Sequence, residues 1–227
     1  MSFNITVPGG TSVRLPLKNK ICDQDVIITA TGGGGGGGIV GDADLPSGYK
    51  RVGYIQFDAA QVVDTGIICT QDTKIKVVFT RETSSSAYIY GVVNDGNTAS
   101  VTSYLGGNWR FGSKAVTVTP ATSEDLIQTA IQSKAGVDRI TAANQYSGVE
   151  SFTATGTLVI GAARNANGSV NRSAFIGKIF LFEMYSGSKL VLKLVPVTDG
   201  AVYRFWDTVG KEFHDSFSDT PLEGGNL

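Results

Sequence analysis

A single histidine, His214, limits the chemistry open to this chain. Serine or cysteine nucleophiles need an imidazole base, and only the stretch "GKEFHDSF" supplies one. No serine stands in a G-x-S-x-G elbow, and Cys22 and Cys69 belong to neither a CxxC nor a metal-ligand spacing. Polyhistidine metal sites are excluded with one imidazole, so His214 reads as a packed or exposed strand-end residue. Two-carboxylate glycoside hydrolysis is the stronger rival. It needs carboxyl groups held about 5–5.5 Å or 6.5–9.5 Å apart. Residues two apart on a strand share a face, so an E-x-D-x-E strand would be its sign. Glu82, Glu124, Glu150, Glu183, Glu212 and Glu223 never fall within two residues of one another. Asp23 with Asp25, and Asp42 with Asp44, have that spacing, but both pairs sit in an N-terminal piece or a linker. The expectation is a protein that is not an enzyme and holds no cofactor.

Binding chemistry is better represented. The loops "VNDGNTAS" (Asn94, Asp95, Asn97) and "ARNANGSVNRS" (Asn165, Asn167, Asn171) have the oxygen-rich composition that calcium requires. Asn-Gly and Asp-Gly are first of all hairpin turns, because both residues tolerate positive φ, and the turn reading is preferred to a metal. Sugar binding needs an aromatic platform beside polar groups. "SYLGGNWRFGS" offers Tyr104, Asn108, Trp109 and Arg110 in that setting, with Asn165 and Asn167 as further ligand candidates. Against this stands strand alternation, which would turn Trp109 and Phe111 together into a core.

The 227 residues suffice for one sizeable domain with an appendage. Apolar residues are 41% of the chain, enough for a core, while charged residues are only 17% and glycines number 29. That balance points to tight turns and Ser/Thr/Asn-coated sheets rather than ion-paired helices. The net charge of −1 offers no basic patch for nucleic acid or an anionic membrane. The apolar segments "AFIGKIFLFEMY" and "KLVLKLVPV" are interrupted by Lys178, Glu183 and Lys193, so no membrane insertion is expected. "MSFNITVPGG" has no signal-peptide pattern. Isolated buried thiols are preferred to a Cys22–Cys69 disulfide.

Residues 1–31 read as a small β module of short alternating strands, too small to bury much surface alone. Residues 32–44 form a linker, in which Gly32 to Gly38 run uninterrupted. Seven glycines span about 15 Å as a flexible coil, which tethers without transmitting orientation. Residues 45–227 are patterned as β throughout. "TKIKVVFTRE", "SAYIYGVV", "AVTVTP", "GTLVIGAA", "GKIFLFEMY" and "KLVLKLVPV" are short, β-branched or aromatic, and bounded by turn residues. "SEDLIQTAIQSK" fits a helix capped by Ser123 or a strand equally well. The predicted fold is all-β, a jelly-roll sandwich of two antiparallel sheets with a small N-terminal β module.

From Leu45 the sequence resembles concanavalin A-like, laminin-G-type sandwich domains of bacteriophage structural proteins. The opening pattern of such domains falls on Leu45, Pro46, Gly48, Tyr49, Tyr54, Ile55, Gln61, Asp64, Thr65 and Gly66. The closing pattern falls on Gly177 and Lys178, on Pro196 in "VPV", and on Asp207 in "DTVGKEF". That hairpin is one residue shorter than usual, and "YRFWD" replaces a glycine-led "GLYD". "KICDQDVIITATGGG" is similar to an element preceding glycine linkers in phage tail and baseplate proteins. The resemblance implies a virion protein, assembled in the host cytoplasm and placed on the tail tip or a fibre rather than the capsid. It implies that residues 1–31 dock onto other virion proteins, that the sandwich meets a host-cell surface glycan, and that the chain forms a homo-oligomer, in family habit a trimer. The alternative it leaves is a capsid decoration or head fibre without a dedicated ligand.

Overall fold

A computed structural model of the chain describes residues 4–6, 12–14, 44–82, 87–94, 96, 98–105, 107–118, 127–139, 142–171 and 175–226. Two compact units result, Met1–Gly41 and Asp42–Leu227. In the first, Asn4–Thr6 pairs antiparallel with Ser12–Arg14, with Ile5 opposite Val13. The glycine run, Cys22, Asp23, Asp25, Asp42, Asp95, Asn97 and Ser123 lie outside the described residues.

The second unit is built from two sheets. The larger runs Ala142–Gln145, Gly136–Arg139, Gln128–Ser133, Thr73–Arg81, Ile176–Ser186, Lys189–Thr198, Tyr203–Asp207, Glu212–His214. Ile176–Ser186 is its spine. One edge pairs with Thr73–Arg81 along its length, and the other is shared by Tyr54–Asp58 and then Lys189–Thr198. Glu223–Gly225 adds to Tyr54–Asp58. The smaller sheet runs Lys114–Thr117, Asn108–Gly112, Ser100–Tyr104, Tyr88–Val92, Thr153–Ile160, Val63–Thr70. Pairing is antiparallel apart from one parallel bridge, Arg164 to Val92. Among the described residues no helix is long and apolar enough to cross a membrane.

Alternation sets the faces. In Thr73–Arg81, Ile75, Val77 and Phe79 are fully buried between the sheets. Lys76 points outward and meets Glu183, which also faces Lys193, at 3.6 and 3.5 Å. The two inner faces share one core. Phe182 of the larger sheet makes a T-shaped contact with Tyr90 of the smaller, centroids 5.5 Å apart, and Trp109 makes another with Tyr90 at 6.0 Å.

The ambiguous segment "SEDLIQTAIQSK" resolves as a strand over Gln128–Ser133. Gln128, Ala130 and Gln132 face inward, whereas Thr129 and Ile131 do not. Gln132 is the reason polar residues face the core. Its Oε1 accepts the Tyr90 hydroxyl at 2.8 Å, and its Nε2 lies 2.8 Å from Tyr146 Oη, 2.8 Å from the Arg110 carbonyl and 3.3 Å from that of Thr102. One side chain thereby ties the larger sheet to three strands of the smaller. Burial pushes the Tyr90 and Tyr146 hydroxyls to higher pKa, so both stay neutral, Tyr90 donating to Gln132 and Tyr146 accepting from it.

The residues carrying the family resemblance occupy structural posts. Tyr49 donates its N–H to the Pro46 carbonyl at 3.1 Å, with Gly48 at φ 85°. That is the third position of a type II turn, where positive φ favours glycine. The turn delivers Tyr49 onto Phe213, 4.6 Å between rings, and Phe213 packs at a tilt against Trp206 at 5.0 Å. Gln61 accepts the Asp58 N–H, Asp64 accepts that of Gly66, and the Thr65 hydroxyl donates to the Leu158 carbonyl. Ile55 pairs with Ile179, Gly177 with Phe57 and Arg81, and Lys178 lies over the Tyr54 ring. The Pro196 carbonyl accepts the Val52 N–H. Cys69 is a free, fully buried thiol whose pKa burial pushes up to about 12.

Candidate functional site

Strand alternation divides "SYLGGNWRFGS" between two faces of the smaller sheet. Trp109 and Phe111 turn inward and are fully buried. Trp109 is therefore corrected from a ligand platform to a core residue, since its ring has no exposed face. Tyr104, Asn108 and Arg110 turn outward together.

They meet Tyr88 from the neighbouring strand, which pairs directly with Tyr104. A depression of about 290 Å³ results, lined by Tyr88, Val93, Thr102, Tyr104, Asn108 and Arg110, with Gly107 at its edge. The Tyr88 and Tyr104 rings lie 4.7 Å apart, tilted by 47°. Gly107 is required by close approach, because a Cβ there would lie 2.5 Å from Tyr104 Cδ1. The glycine lets the Tyr104 ring lie along the loop backbone. A bulge in the Tyr88–Val92 strand places Ile89 and Tyr90 opposite Ser103. Ser103 Oγ accepts the Tyr90 N–H at 3.0 Å and lies 3.3 Å from the Tyr90 carbonyl. The bulge sends Tyr88 outward to the depression while Tyr90 stays inside.

The polar groups are oriented. Asn108 Oδ1 accepts the Thr117 hydroxyl at 3.0 Å, which leaves its amide donors for a ligand. Partial burial raises the Tyr88 pKa, the neighbouring Tyr104 adds to this and Arg110 opposes it, so the hydroxyl remains protonated. Among the described lining residues Arg110 is the only charged side chain, and no carboxylate lines the depression. The site offers two aromatic faces, hydroxyls, an amide and a guanidinium. That set has the groups to stack on and hydrogen-bond a polyol.

Asn165 and Asn167 do not line this depression. They build their own turn: Asn165 N–H donates to the Ser169 carbonyl and Asn167 Oδ1 accepts the Ser169 N–H and hydroxyl. The turn reaches the site only indirectly, where the Arg164 carbonyl accepts the Val93 N–H at 2.7 Å. Asn94, in the other oxygen-rich loop, is buried and accepts both the N–H and hydroxyl of Thr155. Tyr88 escaped sequence reasoning because "SAYIYGVV" gives no sign of the bulge that turns one tyrosine out and the other in. His214 lies elsewhere, its side chain largely buried, with Nδ1 donating to the Asp64 carbonyl at 2.8 Å. Compared with known proteins, the chain matches no family model and no curated protein sequence.

Proposed function

We propose that this chain is a bacteriophage virion protein whose sandwich binds a host-surface carbohydrate. The observation that carries the binding half is the outward cluster of Tyr88, Tyr104, Asn108 and Arg110 over one depression. Its volume of about 290 Å³ sits at the lower bound of the roughly 300–1,000 Å³ usual for small-ligand sites. A site of that size suits a terminal sugar unit bound weakly. Weak sites become effective when many copies are tethered, because linkage raises local concentration without new contacts. The glycine linker suits such display, with residues 1–31 docking on other virion proteins and the chain assembled as a homo-oligomer. The virion half rests on the resemblance of the opening and closing motifs to concanavalin A-like domains, whose quoted residues here fill turns and strand pairings of a two-sheet sandwich.

The test is host-cell adsorption of the full-length protein displayed multivalently on beads, alongside its Tyr104→Ala and Arg110→Ala variants. The reading expects wild-type beads to adsorb and both variants to lose most adsorption while keeping the wild-type melting temperature. Equal adsorption by all three would overturn it. Antibody labelling of intact particles then reports placement: label on the tail supports attachment, and label over the head turns the sandwich into capsid decoration.

A further inference from the structure

The hairpin of Tyr203–Asp207 and Glu212–His214 carries a second cluster, remote in function from the depression. Asp207 pairs with Glu212, and Phe205 with His214. Directly paired residues share a face, as do residues two apart on one strand. Asp207, Glu212 and His214 therefore project together, and one ligating atom from each lies within 4.8 Å of the others.

Two of the three are locked. Asp207 Oδ1 accepts the N–H groups of Lys193 and Val209, each at 2.9 Å, and Oδ2 accepts that of Gly210 at 2.8 Å. The His214 side chain is only 9% exposed. Its Nδ1 donates to the Asp64 carbonyl. A carbonyl can only accept, so this bond places a proton on Nδ1, and in the neutral ring the lone pair is then on Nε2. Nε2 is buried with no hydrogen-bond partner. It faces Glu212 Oε1 at 3.7 Å, beyond hydrogen-bond range. In the neutral ring this is a buried, unpaired acceptor facing carboxylates, an arrangement suited to a cation between them.

We propose that Asp207, Glu212 and His214 bind a divalent transition-metal cation, of which Zn²⁺ is the best fit. Zinc bonds of about 2.0–2.2 Å place tetrahedral ligand atoms about 3.4 Å apart. The gap from Nε2 to Oε1 is already 3.7 Å, and Glu212, 67% exposed, has the freedom to close it. Asp207 Oδ2 retains a lone pair after its single N–H bond. Solvent completes the sphere on the Glu212 side. One nitrogen and two oxygens favour a borderline cation over Ca²⁺ or Mg²⁺, which take six or more oxygens. The bond from Nδ1 to a backbone carbonyl is the outer contact that metal-bound imidazoles use to fix their tautomer.

The chain's single histidine makes the test unambiguous. Full-length protein, labelled with ¹⁵N-histidine and freed of metal by chelation, is titrated with Zn²⁺ at neutral pH. The expected result is an Nδ1-protonated ring whose Nε2 resonance shifts saturably at one Zn²⁺ per chain, with a rise in melting temperature. His214→Gln abolishes the uptake, and Glu212→Gln weakens it at least about tenfold while leaving the metal-free melting temperature unchanged. Asp207 is left alone in the test because its carboxylate also holds the hairpin backbone. A proton on Nε2 in excess Zn²⁺, meaning a plain His–Glu ion pair, overturns the proposal. So does an absence of uptake, or uptake of equal affinity by His214→Gln.

Discussion

Replacing Gln132 by alanine probes the bond set that joins the two sheets. Gln132 is fully buried, as is Tyr90, and Tyr146 is 8% exposed. An amide has one acceptor oxygen and two donor hydrogens, so Gln132 makes three bonds at once among Tyr90, Tyr146 and the carbonyls of Arg110 and Thr102. Alanine leaves the Tyr90 hydroxyl without its acceptor and at least one further buried group without its donor. Each orphan costs about 1–3 kcal/mol, so the expected loss is about 3–5 kcal/mol. That is a large share of the roughly 5–15 kcal/mol that holds a domain together. Urea unfolding followed by tryptophan emission measures it, because Trp109 and Trp206 both lie in the sandwich and Trp109 packs on Tyr90. With a slope near 2 kcal/mol/M the midpoint falls by roughly 2 M. Tyr90→Phe in the Gln132→Ala background should then cost less than it does alone, by about 1 kcal/mol or more, because the bond is already gone. A Gln132→Ala loss below about 1 kcal/mol, or strict additivity with Tyr90→Phe, would refute the idea that this side chain couples the sheets.

Other residues give sharp expectations too. Trp109→Ala should cost about 3–5 kcal/mol by urea unfolding, because the ring is fully buried; a near-neutral result would return it to the surface. Gly107→Ala should displace the Tyr104 ring, whose Cδ1 would lie 2.5 Å from the new Cβ. Adsorption should fall while the melting temperature holds, and unchanged adsorption would separate the ring's position from binding. Gly48→Ala should lose about 1 kcal/mol in the same unfolding assay, since φ there is 85°. Cys69 should resist alkylation in the native protein and react on unfolding, as peptide mass spectrometry would show. Its pKa rises from 9.0 to about 12 on folding. Below pH 9 both states keep the proton, and between pH 9 and 12 only the unfolded chain loses it. Stability should therefore fall with rising pH across that window, by about 1.4 kcal/mol per unit from this group. Alkaline unfolding of Cys69→Ala should show a shallower slope.

The sheets were legible because their strands obey alternation cleanly, as Ile75, Val77 and Phe79 do against Lys74 and Lys76. The exception is instructive. In Gln128–Ser133 the inward positions are Gln, Ala and Gln, while Ile131 is left on the outer side. Hydrophobic patterning misreads such a strand, because its buried glutamine is stabilised by bonds to residues distant in sequence. Half of the depression was legible for a similar reason: Tyr104, Asn108 and Arg110 lie on one short hairpin, so local alternation places them together. Alternation also argued Trp109 inward, and the structure follows that alternation. Tyr88 enters through a bulge, and the Asp207, Glu212 and His214 cluster enters through cross-strand register. The bulge leaves no trace in linear spacing, and of the cluster only the two-apart Glu212 and His214 do.

The sharing of the Ile176–Ser186 edge has a consequence for how the protein comes into being. Tyr54–Asp58 is made early, yet its partners are residues 176–179 and 223–225. Ile55 and Phe57, fully buried in the finished sandwich, belong to that early strand. At roughly 5–20 residues per second, the ribosome releases the last partner roughly ten to thirty seconds after the first strand. Throughout that interval a β-prone apolar segment has no sheet to join, and pairing across such separations is slow once it begins. Folding of this unit thus waits for synthesis to reach its last strand. Its early segment must be kept from strangers in the meantime, which makes chaperone supply and synthesis rate determinants of yield.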